Sequence, residues 1–159
     1  MRRLALTATT LVILVTALGA CSSSERTVTV NHGPAPTPVY LDLGDTGPSA
    51  GDVRLWSYDA TSSDGQKVRS DVIMTTTGLV TGTTDEYRDT HLVFTFANPA
   101  DELIVEGVAT YPGANSVLKP ATTVSRSVIG GSGAYAGATG WCDSTHNADG
   151  TWTHVFHIH

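Results

Sequence analysis

Short runs of alternating apolar and polar residues, each cut off by glycine, asparagine or aspartate, dominate the chain from about residue 38 onward. Leu92, Phe94 and Phe96 fall on one side of such a run, with His91, Val93 and Thr95 on the other. Trp152, His154, Phe156 and Ile158 likewise oppose Thr151, Thr153, Val155, His157 and His159. A period of two marks a half-buried strand. Eight strands are predicted, at roughly 38–43, 51–60, 66–79, 88–97, 102–111, 122–130, 138–146 and 151–159. Ser63-Asp64-Gly65 and Ala148-Asp149-Gly150 are hairpin signals, because glycine takes positive φ without steric cost, and Asn98-Pro99-Ala100-Asp101 is a further turn. No window holds an apolar repeat of helical period, so helix is expected only as single turns. Eight antiparallel strands suit a sandwich or a closed barrel. The barrel leaves no open edge and has room for side chains or one small ligand.

The first residues follow a different pattern. Arg2 and Arg3 precede an apolar stretch, Leu4 to Leu18, which is short for a membrane span and suits the core of a signal peptide. Leu18-Gly19-Ala20-Cys21 then matches a bacterial lipobox, with Ser22, Ser23 and Ser24 after it. The expected organisation is a lipoprotein signal peptide at 1–20, a lipidated Cys21 opening a flexible Ser/Pro tether at 21–38, and one domain at 39–159. Acyl chains on Cys21 would supply the membrane affinity and hold the domain on the extracytoplasmic face of the cell membrane.

Charge and cysteine usage agree with that placement. Two of the nine Lys and Arg lie in the leader, so seven remain against all fifteen Asp and Glu, and the formal charge moves from −6 to −8. An acidic chain without a basic patch is a poor partner for nucleic acid. With Cys21 lipidated, Cys142 is the one thiol left, and a buried apolar role suits it.

The stretch Val128-Ile129-Gly130-Gly131-Ser132-Gly133-Ala134-Tyr135-Ala136-Gly137 could be taken for a phosphate loop. Such a loop needs a helix behind it, with phosphate at the helix N-terminus. Residues 138–146 read as strand instead, so the glycines are a connection between strands. With the strand before it and two after it, "VIGGSGAYAGATG" resembles the signature of the allene oxide cyclase and dirigent superfamily. "LDLGDTG…GDVRLWSYDA", "DGQKVRSDVIMTTTGLV", "THLVFTFANPADELIVEGVATYP" and "DGTWTHVFHI" are similar to other strands of that family. The resemblance spans about 39–159. It implies an all-β, eight-stranded antiparallel barrel, often a homo-oligomer, with a mostly apolar cavity at one mouth and no metal or organic cofactor. Members cyclise an unstable epoxide, steer radical coupling or cyclise polyketides. In the plant cyclases an opening-strand glutamate and a nearby asparagine contact the epoxide. Here Tyr40 stands at the first position and Asp42 at the second, so allene oxide cyclisation itself is not expected.

Candidate site residues follow from strand faces. Asp42, if it points into the mouth, is a candidate acid–base catalyst, since burial would raise its pKa; Asp45 nearby reads as a turn residue. Tyr40, Trp56, Tyr58, Arg126 and Trp141 are candidate cavity-lining residues, the tyrosine hydroxyls being able to orient a substrate oxygen. Arg126 shares a face with Val124 and Val128, so it either reaches a carboxylate inside the barrel or pairs at the rim. His154 lies on the opposite strand face from His157 and His159, which prevents convergence on a metal; His146 is nearby and His32 sits in the tether. These histidines read as exposed terminal residues. The expected function is a cell-surface lipoprotein whose barrel encloses a small apolar substrate, as an isomerase or cyclase or as a lipocalin-like carrier.

Overall fold

The computed structural model describes residues 24–113 and 117–159. The expected signal peptide and Cys21 lie outside these residues. Nine strands form in chain order: β1 (Arg26–His32), β2 (Val39–Leu41), β3 (Val53–Ser62), β4 (Lys67–Leu79), β5 (Glu86–Thr95), β6 (Glu102–Tyr111), β7 (Thr122–Ser132), β8 (Gly140–His146) and β9 (Trp152–Ile158). Strands β3 to β9 run as an antiparallel meander, β1 lies against β9, and β1 also meets β3. The result is a closed eight-stranded barrel, with β2 added as a short strand on β3.

Closure depends on a segment expected to be tether. Seven residues of β1 pair with β9, from Arg26 opposite Ile158 to His32 opposite Trp152. Val30 and Asn31 also meet Ser62 and Thr61 of β3. The reason is local: Thr27-Val28-Thr29-Val30 is a run of β-branched residues, which favour extended backbone. The serines before it and the prolines after it look like linker and concealed it. The strand expected at 38–43 is reduced to three residues, with Val39, Leu41 and Leu43 exposed.

Side chains facing inward fill one end of the barrel. Val30, Phe94, Leu103, Val105, Cys142 and Phe156 are fully buried there. The rings of Phe94 and Phe156 meet edge to face at 5.0 Å, and burying a phenylalanine contributes about 1.5–3 kcal/mol. The glycine-rich connection closes this same end. Gly133–Tyr135 forms a single 3₁₀ turn that turns Tyr135 inward, 4.7 Å from the ring of Phe96. A Cβ on Gly131 would lie 2.5 Å from the Tyr135 carbonyl and 2.7 Å from that of Glu102, so only glycine fits. The connection is a floor plug, at the opposite end from the cavity described next.

Candidate functional site

At the other end, where β1, β4, β6 and β8 finish, the inward residues do not fill the barrel. They leave a partly open cavity of about 50 Å³, with Ala35 and Val117 among its lining residues. That is room for roughly three or four waters in its enclosed part. Leu92 and Val72 form its apolar base, and Met74 and Tyr111 part of its wall.

An aromatic stack forms the opposite wall. The His32 ring lies 4.1 Å from that of Tyr58 and 5.3 Å from that of His154, and stacks on Trp152 at 6.1 Å. Trp152 in turn stacks on His146 at 4.7 Å. The pairing of β1 with β9 places these rings together, because both strands present alternate residues inward. Trp56 borders the mouth and donates its indole N–H to the Pro36 carbonyl at 2.9 Å, which holds residues 33–37 across the opening.

The polar groups in this wall are held largely uncharged. Burial pushes His32 down to about 4, against the opposing effect of its bond to the Gly33 carbonyl. Because a carbonyl can only accept, Nδ1 of His32 carries the proton at 2.6 Å, and Nε2 is left as an acceptor. Burial also drives His154 down to about 3, aided by the nearby His32 and Arg126 charges. Its Nδ1 lies 2.9 Å from the Ser144 hydroxyl. Burial raises Tyr58 to about 12 and the Cys142 thiol to about 12, so neither ionises near neutral pH.

Arg126 is the charged member. It is 5 % exposed, and its Nη2 donates to the Tyr111 hydroxyl at 2.6 Å. Gly107 on the neighbouring strand makes room for it, since a Cβ there would lie 3.2 Å from the Arg126 Cγ. Five buried polar atoms around this cavity have no partner among the described residues: His32 Nε2, Thr90 Oγ1, Arg126 Nε, Trp152 Nε1 and His154 Nε2. Buried polar groups are normally satisfied, so such a cluster calls for a reason.

A second polar cluster at the same end is paired internally through Glu86 Oε2, while Glu86 Oε1 and Arg54 Nε have no partner among the described residues. Glu86 accepts from Arg54 at 3.0 Å, from Arg88 at 2.9 Å and from Thr76 at 2.7 Å, all of them buried. Burial pushes the Glu86 carboxyl up, but the bonds from Arg88 and Thr76 and the two guanidinium charges hold it below its ordinary value. Asp52 is buried and accepts from the Tyr40 hydroxyl at 2.7 Å and from the amides of Ser49 and Leu43. These bonds fasten the 43–52 connection to the barrel.

Trp56, Tyr58 and Arg126 line the cavity. Tyr40 does not; its ring stacks on the Arg54 guanidinium at 4.8 Å. Asp42 is exposed and accepts from the Gly47 amide at 3.2 Å, because β2 ends at Leu41 and the chain leaves the sheet. Trp141 faces outward and stacks on His157 at 4.6 Å. His154 and His146, read as exposed, are buried, and His32 belongs to the cavity. Among the described residues no group of three or more His, Cys, Asp or Glu converges to hold a metal ion.

The barrel is similar to that of pyocyanin demethylase. The likeness covers 86 % of this chain and 100 % of that one, with a TM-score of 0.58 and 17 % sequence identity. At that identity it concerns the fold, which in the demethylase supports an enzyme. No family model and no curated protein matches this chain.

Proposed function

We propose that this protein encloses a small, largely apolar molecule in the cavity at one end of its barrel, and that it is an isomerase or cyclase acting by enclosure and orientation. The observation that carries the reading is the set of five unpartnered buried polar atoms facing one apolar cavity. A closed site of this kind fixes a reactive molecule in one geometry, which is a large part of what a cyclase has to do. The resemblance to the allene oxide cyclase and dirigent superfamily, and a barrel neighbour named as a demethylase, support a catalytic reading. A second reading, a non-catalytic carrier, is favoured by one observation: none of the described residues lining the cavity is a carboxylate, and both its imidazoles are held neutral.

Lipidation of Cys21 would place this barrel in a definite orientation. Four residues, 22–25, separate Cys21 from β1, a reach of at most about 14 Å. β1 starts at the floor and ends at the mouth, so the floor lies toward the membrane and the mouth away from it. The tether is then much shorter than the 21–38 span expected from composition, and the cavity takes its ligand from the envelope side.

Native mass spectrometry of the protein extracted from its own membrane tests the reading. The expected result is a low-mass adduct that dissociates on activation. Incubating the released compound with fresh protein separates the two readings: conversion supports the enzyme and unchanged release the carrier. A Cys21→Ala chain found in the membrane fraction at unchanged mass would refute lipidation.

A further inference from the structure

Three arginines and two carboxylates are buried in this barrel: Arg54, Arg88 and Arg126 against Asp52 and Glu86. Arg54 and Arg88 share Glu86. Asp52 is occupied by Tyr40 and by the backbone of the 43–52 connection. Arg126 has neither: among the described residues no carboxylate stands within ion-pair distance of it, its Nη2 donates to the neutral Tyr111 hydroxyl, and its Nε has no partner. A guanidinium stays charged under all ordinary conditions, and an unpaired buried charge is strongly disfavoured unless something compensates it.

The fold nevertheless goes to some length to keep Arg126 inside. Gly107 vacates the space beside its stem, and Tyr111 holds the head in place. Of the unpartnered atoms on the cavity, the Trp152 indole N–H and the Arg126 Nε–H are donors, the Thr90 hydroxyl can donate, and His32 Nε2 is an acceptor. The rings of Trp56, Tyr58, Trp152 and His154 give the site flat apolar walls. The cavity, about 50 Å³, admits a small head group, and because it is partly open the remainder of a molecule can extend out of it.

We propose that the ligand of this cavity is a planar, largely apolar carboxylic acid whose carboxylate enters first and pairs with the guanidinium of Arg126. This rests on the reading of the cavity as a ligand site and specifies its chemical class. The carboxylate supplies the missing counter-charge and accepts from Arg126 Nε, and Thr90 and Trp152 lie on the same cavity to complete its shell. The chain as a whole is acidic, so its surface does not attract such a ligand; the buried charge does.

Isothermal titration of the full chain in lipid nanodiscs with benzoate, benzamide and methyl benzoate tests the pairing, with empty nanodiscs as the blank. Benzoate is expected to bind at least about tenfold more tightly than either uncharged analogue, as for one charge-assisted buried contact. Arg126→Gln is expected to abolish that preference. Arg126→Lys retains part of it. Equal binding of benzoate and benzamide by the native chain, or a benzoate preference that survives Arg126→Gln, overturns the pairing and leaves the apolar cavity reading standing. Failure of all three probes to bind the native chain overturns the cavity reading and the pairing with it. The comparison of acid with amide on the native chain holds whether or not the variants fold.

Discussion

The imidazole rings of His32 and His154 stack 5.3 Å apart, with planes 19° apart, although they come from the first and last strands of the barrel. Burial holds both well below the ordinary histidine value, at about 4 and about 3. The unfolded chain binds protons at these groups near pH 6.5 while the folded chain does not. Their contribution to stability is therefore fully present above pH 6.5. It is lost as pH falls through about 4 for His32 and about 3 for His154. Between pH 6.5 and 5 the unfolding free energy should fall by up to about 1.4 kcal/mol per pH unit for each group. Urea denaturation of the native chain and of the His32→Asn, His154→Asn double variant checks this. The variant should show a flatter profile in that window, above the range where the carboxylates begin to titrate.

Glu86 is the shared anion of Arg54 and Arg88. Glu86→Gln leaves two buried guanidinium groups facing each other without a counter-charge. A loss of about 3–5 kcal/mol is expected, in line with removing one partner from a buried ion pair. Arg54→Met should cost less, because Glu86 keeps Arg88 and Thr76. Thermal unfolding followed by circular dichroism ranks the two variants, and the reverse order would contradict this account of the cluster.

The glycine-rich connection should matter for folding and not for ligand binding. Gly131→Ala drives a methyl group into the carbonyls of Tyr135 and Glu102, which displaces the Tyr135 plug. A destabilisation of about 1–3 kcal/mol is expected from such overpacking. Probe affinity at the cavity should stay within twofold, on the order of the scatter expected for sites that share no partners. A large affinity loss in a folded Gly131→Ala chain would mean that floor and cavity are coupled.

If Cys21 anchors the chain, the floor faces lipid. Single cysteines at Ala136, exposed at the floor, and at Thr81, exposed at the mouth end, provide reporters. The buried Cys142, with its thiol held near 12, should not compete for the label. Nitroxide lipids in the bilayer should quench a dye at position 136 strongly and one at 81 weakly. Equal quenching would contradict the orientation.

Period-two alternation was enough to read β3 to β9, because each strand is wet on one face and dry on the other. Carried back from Leu92 and Phe94, the same alternation puts Thr90, Arg88 and Glu86 inside, so the buried charge cluster was within reach of the pattern. It was missed because charged residues on an inward face contradict the ordinary rule for cores. Arg126 stands out for that same contradiction, and Trp56 and Tyr58 share one strand face. β1 was hidden between serine and proline runs, and with it went His32 and the inward placement of the last-strand histidines. Asp42 illustrates the opposite error: the pattern extends a strand over 38–43, where the strand ends at Leu41.

Thr90 offers the most direct test of the cavity itself. Its side chain is buried on the cavity with an unpartnered hydroxyl, and Thr90→Leu extends an apolar group into the space while removing that hydroxyl. Native mass spectrometry should be run on both chains, each extracted from its own membrane. The account predicts a low-mass adduct on the native chain and its loss from a Thr90→Leu chain that still unfolds cooperatively. A bare native chain, or an adduct that persists unchanged in Thr90→Leu, would contradict it.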